Sequence, residues 1–480
     1  MSTLAFSTPE DMGIPSEKVY NFIKKLETYN IPMHSILISR HGKLITESYY
    51  APYEAATLHR MFSVSKSITS IAIGQLISLG KLSLTDKIIR FFPDMLPMDV
   101  HPFIAKMTIQ DMLTMQTCHS STTYKSNPDS DWVKSFFTTK PTHPSGTSFN
   151  YDTSSSHTLC ALVEKLTSMP LLDFLRTSFL NQIDFSQNSY IIKDPFGISM
   201  GGSGLMATPM DLMKFGSILL SKGVFENQQL ISIDYINDAT AYHSDTLING
   251  PTLEERQGYG YQFWLIQNKG FACYGMGGQL VICLPEQDLI VVTTGDTQGI
   301  QGGNQLIYNS LYDELLPYLS DKPLLVNDID RLKLNAFISN LAILPLKGNI
   351  YSPIIPIINH QQYRLDINPS GFTSLSLEFQ ESLNIGILTL TKDGNPYVLS
   401  FGLGHMITGN FPIYNQKCTT SCVWLKPDTL YIKSHLIDEC IGSIHFYLTF
   451  NETTLSLYMK KIEETYFNEF TGYINGEYNT

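Results

Sequence analysis

The chain of 480 residues is poor in charge. Only 16% of it is charged, with 44 acidic and 32 basic residues, and no Lys/Arg cluster interrupts the net charge of −12. A field of that sign repels polyanions, which excludes nucleic acid and anionic membrane surfaces as main partners. Cysteine is also scarce: residues 118, 160, 273, 283, 418, 422 and 440 form an odd, scattered set. Such a set fits a reducing compartment better than a disulfide framework. Cys418 and Cys422 are close, but no second Cys or His pair has zinc spacing, so no metal is expected. No apolar run approaches 18 residues, so no membrane span is expected. The first 22 residues lack the basic and apolar regions of a signal peptide, and the expectation is a cytoplasmic protein. Ordinary Gly and Pro numbers and the absence of a repeat exclude collagen and solenoid arrays.

What is present is apolar: 43% of the residues are hydrophobic and 11% aromatic. A chain this long buries roughly three quarters of its unfolded surface, and its length suggests two or three domains. Pro15-Ser16-Glu17-Lys18 opens an amphipathic helix to about Thr28, with Val19, Phe22, Ile23 and Leu26 on one face. Residues 35–39 and 43–47 read as a hairpin around Arg40-His41-Gly42. A fully apolar, hence buried, helix is expected over 64–79, ended by Gly80. Further helical patterns lie near 108–116, 155–167, 171–179 and 209–221, and one terminal helix over 302–319. Between them, strands are expected at 271–274, 279–284 and 289–294. If the strands at both ends join one sheet, the segment 1–322 is an α/β (α+β) domain with an inserted helical lobe. Residues 328–480 read as an additional antiparallel β domain, with a hairpin turn at Lys392-Asp393-Gly394 and alternation at Ile444, Phe446, Leu448 and Phe450. Barrel and sandwich are equally compatible with that pattern.

The chemistry concentrates at Ser63-Val64-Ser65-Lys66. Ser63 and Lys66, three apart at a helix start, emerge on one face. A serine hydroxyl needs a base to become nucleophilic, and a lysine serves when burial and the helix dipole disfavour its ammonium form. The spacing alone decides nothing, since roughly two such matches are expected by chance and a second, Ser78/Lys81, stands at the other end of the same helix. Taken singly, Ser63 reads as the N-cap of a core helix. His157, just after Tyr151, reads as a surface histidine.

Other stretches change the weight of that motif: Tyr151-Asp152-Thr153, Gly201-Gly202-Ser203-Gly204-Leu205-Met206-Ala207-Thr208-Pro209, Gly258-Tyr259-Gly260-Tyr261-Gln262-Phe263-Trp264, and Gly275-Met276-Gly277-Gly278-Gln279. In this order, over about residues 8–315, the sequence resembles the serine β-lactamase and penicillin-binding-protein superfamily, in its class C and esterase branch. The resemblance implies a β-lactamase/transpeptidase-like fold and a serine hydrolase working through an acyl-enzyme on an ester, amide or lactam. Ser63 would be the nucleophile, Lys66 and Tyr151 the proton-transfer groups, and the backbone N–H groups of Ser63 and Gln279 the oxyanion hole. Thr153, Met276, Gly277 and Gly278 would meet the substrate. No cofactor is implied, and the expected partner is a small-molecule or short-peptide substrate.

Two positions depart from the family pattern. Thr153 stands where an asparagine is usual, and Met276 where a lysine or histidine is usual. Without that cation, a neutral ester or amide fits better than a penicillin or a peptide C-terminus, unless Arg256 or Lys269 replaces it. The same departures leave a second reading open, a β-lactamase-fold binding or scaffolding protein. Oligomeric state and substrate do not follow from the sequence.

Overall fold

The computed structural model describes residues 4–463 and 469–478. The chain divides into two compact units, Met1–Tyr49 with Ala55–Asn340, and Tyr50–Glu54 with Leu341–Thr480.

The first unit is built on a six-stranded antiparallel sheet in the order Lys43–Tyr49, Met33–Arg40, Leu289–Gly295, Gln279–Leu284, Gly270–Gly275, Trp264–Ile266. The amino-terminal hairpin therefore joins the late strands, with Ile36 opposite Thr293 and Ile38 opposite Val291. The three central strands are buried along their whole length, which is why they read as continuous apolar runs rather than alternating ones. Helices Ser16–Thr28 and Gln305–Glu314 pack together, and Pro209–Leu220 lies on the central strands. There Gly216 is needed for close approach, because a Cβ would stand 2.7 Å from Val281 Cγ1.

Helix Val64–Ser78 is almost wholly buried, as its composition demands. It packs on helix Thr153–Thr167 and on strand Gly270–Gly275. Gly80, at φ +66°, ends it in the left-handed conformation that glycine tolerates best. Other boundaries are shorter than the periodicity suggests. The helix at Ile109–Leu113 stops before Met115 at φ +56°, and Leu171–Leu175 widens into a π turn over Arg176–Leu180. The terminal helix is Gln305–Glu314, because Pro317 confines the rest to a short 3-10 turn.

The second unit is a β-barrel. Ten strands follow the order Asn395–Leu403, Ile385–Lys392, Phe372–Gln380, Gln362–Leu365, Gly472–Glu477, Thr454–Ile462, Ile441–Asn451, Thr429–Ile437, Gln416–Lys426, Ile407–Phe411. A parallel pairing of Gly402 with Ser421 and Leu403 with Cys422 closes them into a ring. Side chains such as Leu375, Phe401, Trp424 and Phe446 fill the interior. The segment Tyr50–Glu54 belongs here: Ala51 bridges to Ala342, and Tyr53 packs with Ile343 and Ile437. Helix Asp328–Ile338 instead belongs to the first unit, with the Phe337 ring tilted against that of Tyr20 at 4.8 Å, so the division falls at Asn340/Leu341, beyond residues 322–328. All seven cysteines are buried. Among the described residues no helix is long and apolar enough to cross a membrane.

Candidate active site

Ser63 is held from both sides of the chain. Strand His59–Arg60 pairs with Leu205–Ala207, and the Met61 N–H donates to the Leu205 carbonyl at 2.8 Å. Phe62 then takes φ +44°, a left-handed conformation costly for a buried aromatic, and delivers Ser63 to the start of the helix. The Ser63 hydroxyl does not cap that helix. It accepts from Lys66 Nζ at 2.9 Å instead.

Lys66 is only 1% exposed. Its three N–H donors have three acceptors: Ser63 Oγ, Thr153 Oγ1 at 3.2 Å and the Gly202 carbonyl at 2.7 Å. The ammonium also sits 4.8 Å from the centre of the Tyr151 ring. The glycine-rich stretch at 201–204 explains itself at this point. A Cβ on Gly202 would lie 2.6 Å from Thr153 Cγ2, and one on Gly201 would lie 2.4 Å from Cys160 Cβ. Ser65 ties the same loop down, accepting from the Leu205 N–H at 3.0 Å while donating to the Phe62 carbonyl.

Tyr151 and Thr153 flank Asp152, which caps helix Thr153–Thr167 by accepting from the Ser154 N–H and hydroxyl. Burial pushes the Asp152 carboxyl up to about 6, against its hydrogen bonds and the nearby Lys66 charge. The Tyr151 ring stacks on Trp264 at 5.6 Å and meets Tyr259 edge-on. In the same Gly258–Trp264 stretch, Gln262 accepts from Ser156 Oγ at 2.5 Å and donates to the Met112 and Leu113 carbonyls. That residue fixes the helix bearing Thr153 rather than touching a ligand.

The turn Gly275–Gln279 joins two sheet strands and needs its glycines: Gly277 and Gly278 stand at φ +82° and +94°. The Gln279 side chain clamps it, donating to the Met276 and Gly295 carbonyls at 2.7 and 2.9 Å and accepting from the Gly295 N–H at 2.9 Å. Asn304 holds the other side through the Gly275 carbonyl at 3.1 Å.

Ser63, Tyr151, Met276 and Gly277 line one cavity of about 770 Å³, together with Phe149, Trp264, Tyr274, Glu255 and Asn304 among others. Thr153, Gly278 and Gln279 are not on its wall. Thr153 is turned to Lys66, and the other two support the turn. Neither Arg256 nor Lys269 reaches it. Arg256 Nε donates to the Gly250 carbonyl, and Lys269 pairs with Glu286 at 2.6 Å in solvent. Among the described residues no lysine or arginine lines the cavity. The surface reading of His157 is corrected: it is 1% exposed and hydrogen-bonded to Asp194 at 2.9 Å, because its helix is buried against the core. Sequence reasoning passed over Glu255, which carries no motif beside the adjacent Glu254. It also took Gly202 and Trp264 only as marks of resemblance.

The sheet with its flanking helices and the serine–lysine pair at a helix start define the architecture of the serine β-lactamase and penicillin-binding-protein superfamily. Residues 20–302 match the family profile described as Beta-lactamase, and the chain belongs to the β-lactamase family of hydrolases. It is 23% identical over 278 residues to 6-aminohexanoate-dimer hydrolase of Paenarthrobacter ureafaciens, covering 54% of this chain and 71% of that protein. Its fold is similar to that of the octameric penicillin-binding protein homologue from Pyrococcus abyssi, with TM-score 0.50 and 15% identity over 96% of this chain and 99% of the other. A penicillin-binding protein homologue from Caulobacter crescentus gives TM-score 0.51 and 14% identity, covering 64% and 99%.

Proposed function

We propose that the chain is a serine hydrolase acting on a neutral carbonyl bond, an ester or amide, through an acyl-enzyme on Ser63. The observation that carries this reading is the 2.9 Å bond between Lys66 Nζ and Ser63 Oγ on the wall of the cavity. In the proposed reaction Tyr151, as a phenolate beside the Lys66 ammonium, takes the Ser63 proton as Oγ bonds to the substrate carbonyl carbon. The oxyanion is held by the N–H groups of Ser63 and Gln279. Tyr151 gives a proton to the leaving group, and water then attacks the acyl carbon and regenerates Ser63. Burial of Lys66 supports a role in proton transfer over one as a surface charge.

Met276 on the wall and the lack of a lining lysine or arginine favour substrates without a carboxylate over penicillins. The test compares p-nitrophenyl butyrate with a chromogenic cephalosporin on wild type and Ser63→Ala. Ester turnover that vanishes in the variant, and exceeds cephalosporin turnover in the wild type, supports the proposal. Ester turnover unchanged by Ser63→Ala overturns it.

A further inference from the structure

The wall of the cavity carries the carboxylate of Glu255, which the proposed reaction does not use. Glu254 and Glu255 are neighbours with opposite fates. Glu254 is 1% exposed and consumed internally, accepting from the Gln267 side chain at 2.7 Å, the Gln267 N–H at 3.0 Å and the Tyr312 hydroxyl at 3.1 Å. Glu255 faces the cavity that Ser63 lines. Its carboxylate accepts from the Thr252 hydroxyl at 2.7 Å and from the Tyr274 hydroxyl, and among the described residues it has no lysine, arginine or histidine in an ion pair. Burial raises its carboxyl above the ordinary value, as expected for a carboxylate without a cation beside it.

The wall next to it is aromatic. The Trp264 ring lies 5.8 Å from Tyr274 and 5.6 Å from Tyr151, and all three line the same space. Aromatic faces attract cations, and do so more strongly once the cation is desolvated. A carboxylate among aromatic rings, in a cavity without lining lysine or arginine and on a chain of net charge −12, is complementary to an ammonium group and repels a carboxylate.

We infer that Glu255, with Trp264 and Tyr274, is the binding site for an ammonium group of the substrate. The expected substrate is thus an amino-bearing ester or amide. This rests on the reading of the cavity as the place where Ser63 acts. The family's usual cation at position 276 binds an anionic substrate group; Met276 and Glu255 together reverse the sign of the charge the cavity selects.

The test is binding of n-hexylamine, 1-hexanol and hexanoate to the full chain, measured by ligand-observed NMR at pH 7, in wild type, Glu255→Gln and Ser63→Ala. A charge-assisted pair predicts that hexylammonium binds about 10- to 100-fold more tightly than hexanol in wild type and in Ser63→Ala. In Glu255→Gln the ratio should fall to about twofold or less, with hexanoate the weakest ligand in wild type. Equal affinity for hexylammonium and hexanol in wild type, or a ratio that survives Glu255→Gln, overturns the inference. The outcome separates from that of the hydrolase reading. A preference that persists without any Ser63-dependent turnover sinks the enzyme proposal alone. Ser63-dependent turnover without the preference sinks only the ammonium site.

Discussion

Helix Val64–Ser78 carries the same spacing at both ends, Ser63/Lys66 and Ser78/Lys81. At its start, Lys66 is sealed from solvent, bonded to Ser63, Thr153 and Gly202, and Ser63 opens onto a cavity. At its end, the Ser78 hydroxyl donates back to the Gly74 carbonyl at 3.0 Å, and Lys81 is exposed. In the proposed reaction the first pair is the nucleophile and the buried lysine that serves its proton transfer, held together by three segments far apart in sequence. The second is a helix satisfying its own carbonyls, with a solvated cation at the negative end of its dipole. The motif acquires chemistry only from what the rest of the fold brings to it.

The largest effect should come from breaking the first pair. Ser63→Ala should lower ester turnover by about 10³-fold or more, read as kcat/KM. Lys66→Met should cost about 10²- to 10⁴-fold in kcat, the range of a positioned proton-transfer group. Next comes the loop that holds Lys66. Gly202→Ala places a Cβ against Thr153 and should destabilise the fold by about 1–3 kcal/mol in urea titration, with a parallel loss of turnover.

Asp152 sharpens the comparison through pH. Its carboxyl rises from the ordinary 3.8 to about 6 on folding. Its contribution to stability is therefore complete below about pH 4 and is lost as pH rises toward 6, since the unfolded chain releases that proton first. Melting Asp152→Asn beside wild type should show the variant gaining in Tm relative to wild type between pH 4 and 6. Using the difference removes the opposite slope of buried histidines such as His59, which burial lowers to about 4. The smallest effect belongs to the far end of the helix. Ser78→Ala and Lys81→Ala should stay within about 0.5 kcal/mol of wild type in stability and leave turnover in place.

Much of this was legible in the sequence where the signal is local. The apolar run after Ser63, the hairpins and the glycine turn before Gln279 each depend on neighbours a few residues away. The resemblance to the family added the long-range order of the motifs. What was not legible depends on contacts distant in sequence. Barrel closure needs Gly402 beside Ser421, a pairing without a local pattern. The placement of Tyr50–Glu54 with the barrel is of the same kind. His157 was misread because its helix is polar at its start yet buried on all sides by tertiary packing. Glu254 and Glu255 are indistinguishable in sequence, and only the fold decides which faces the cavity.

The most direct test of the central claim is the site of covalent labelling. The chain would be treated with a fluorophosphonate, and intact mass and peptide maps recorded for wild type, Ser63→Ala and Ser78→Ala. The account predicts a single adduct on the peptide containing Ser63 in wild type and Ser78→Ala, and none in Ser63→Ala. An adduct that persists in Ser63→Ala, or a wild type that stays unlabelled while p-nitrophenyl butyrate is hydrolysed, would contradict it.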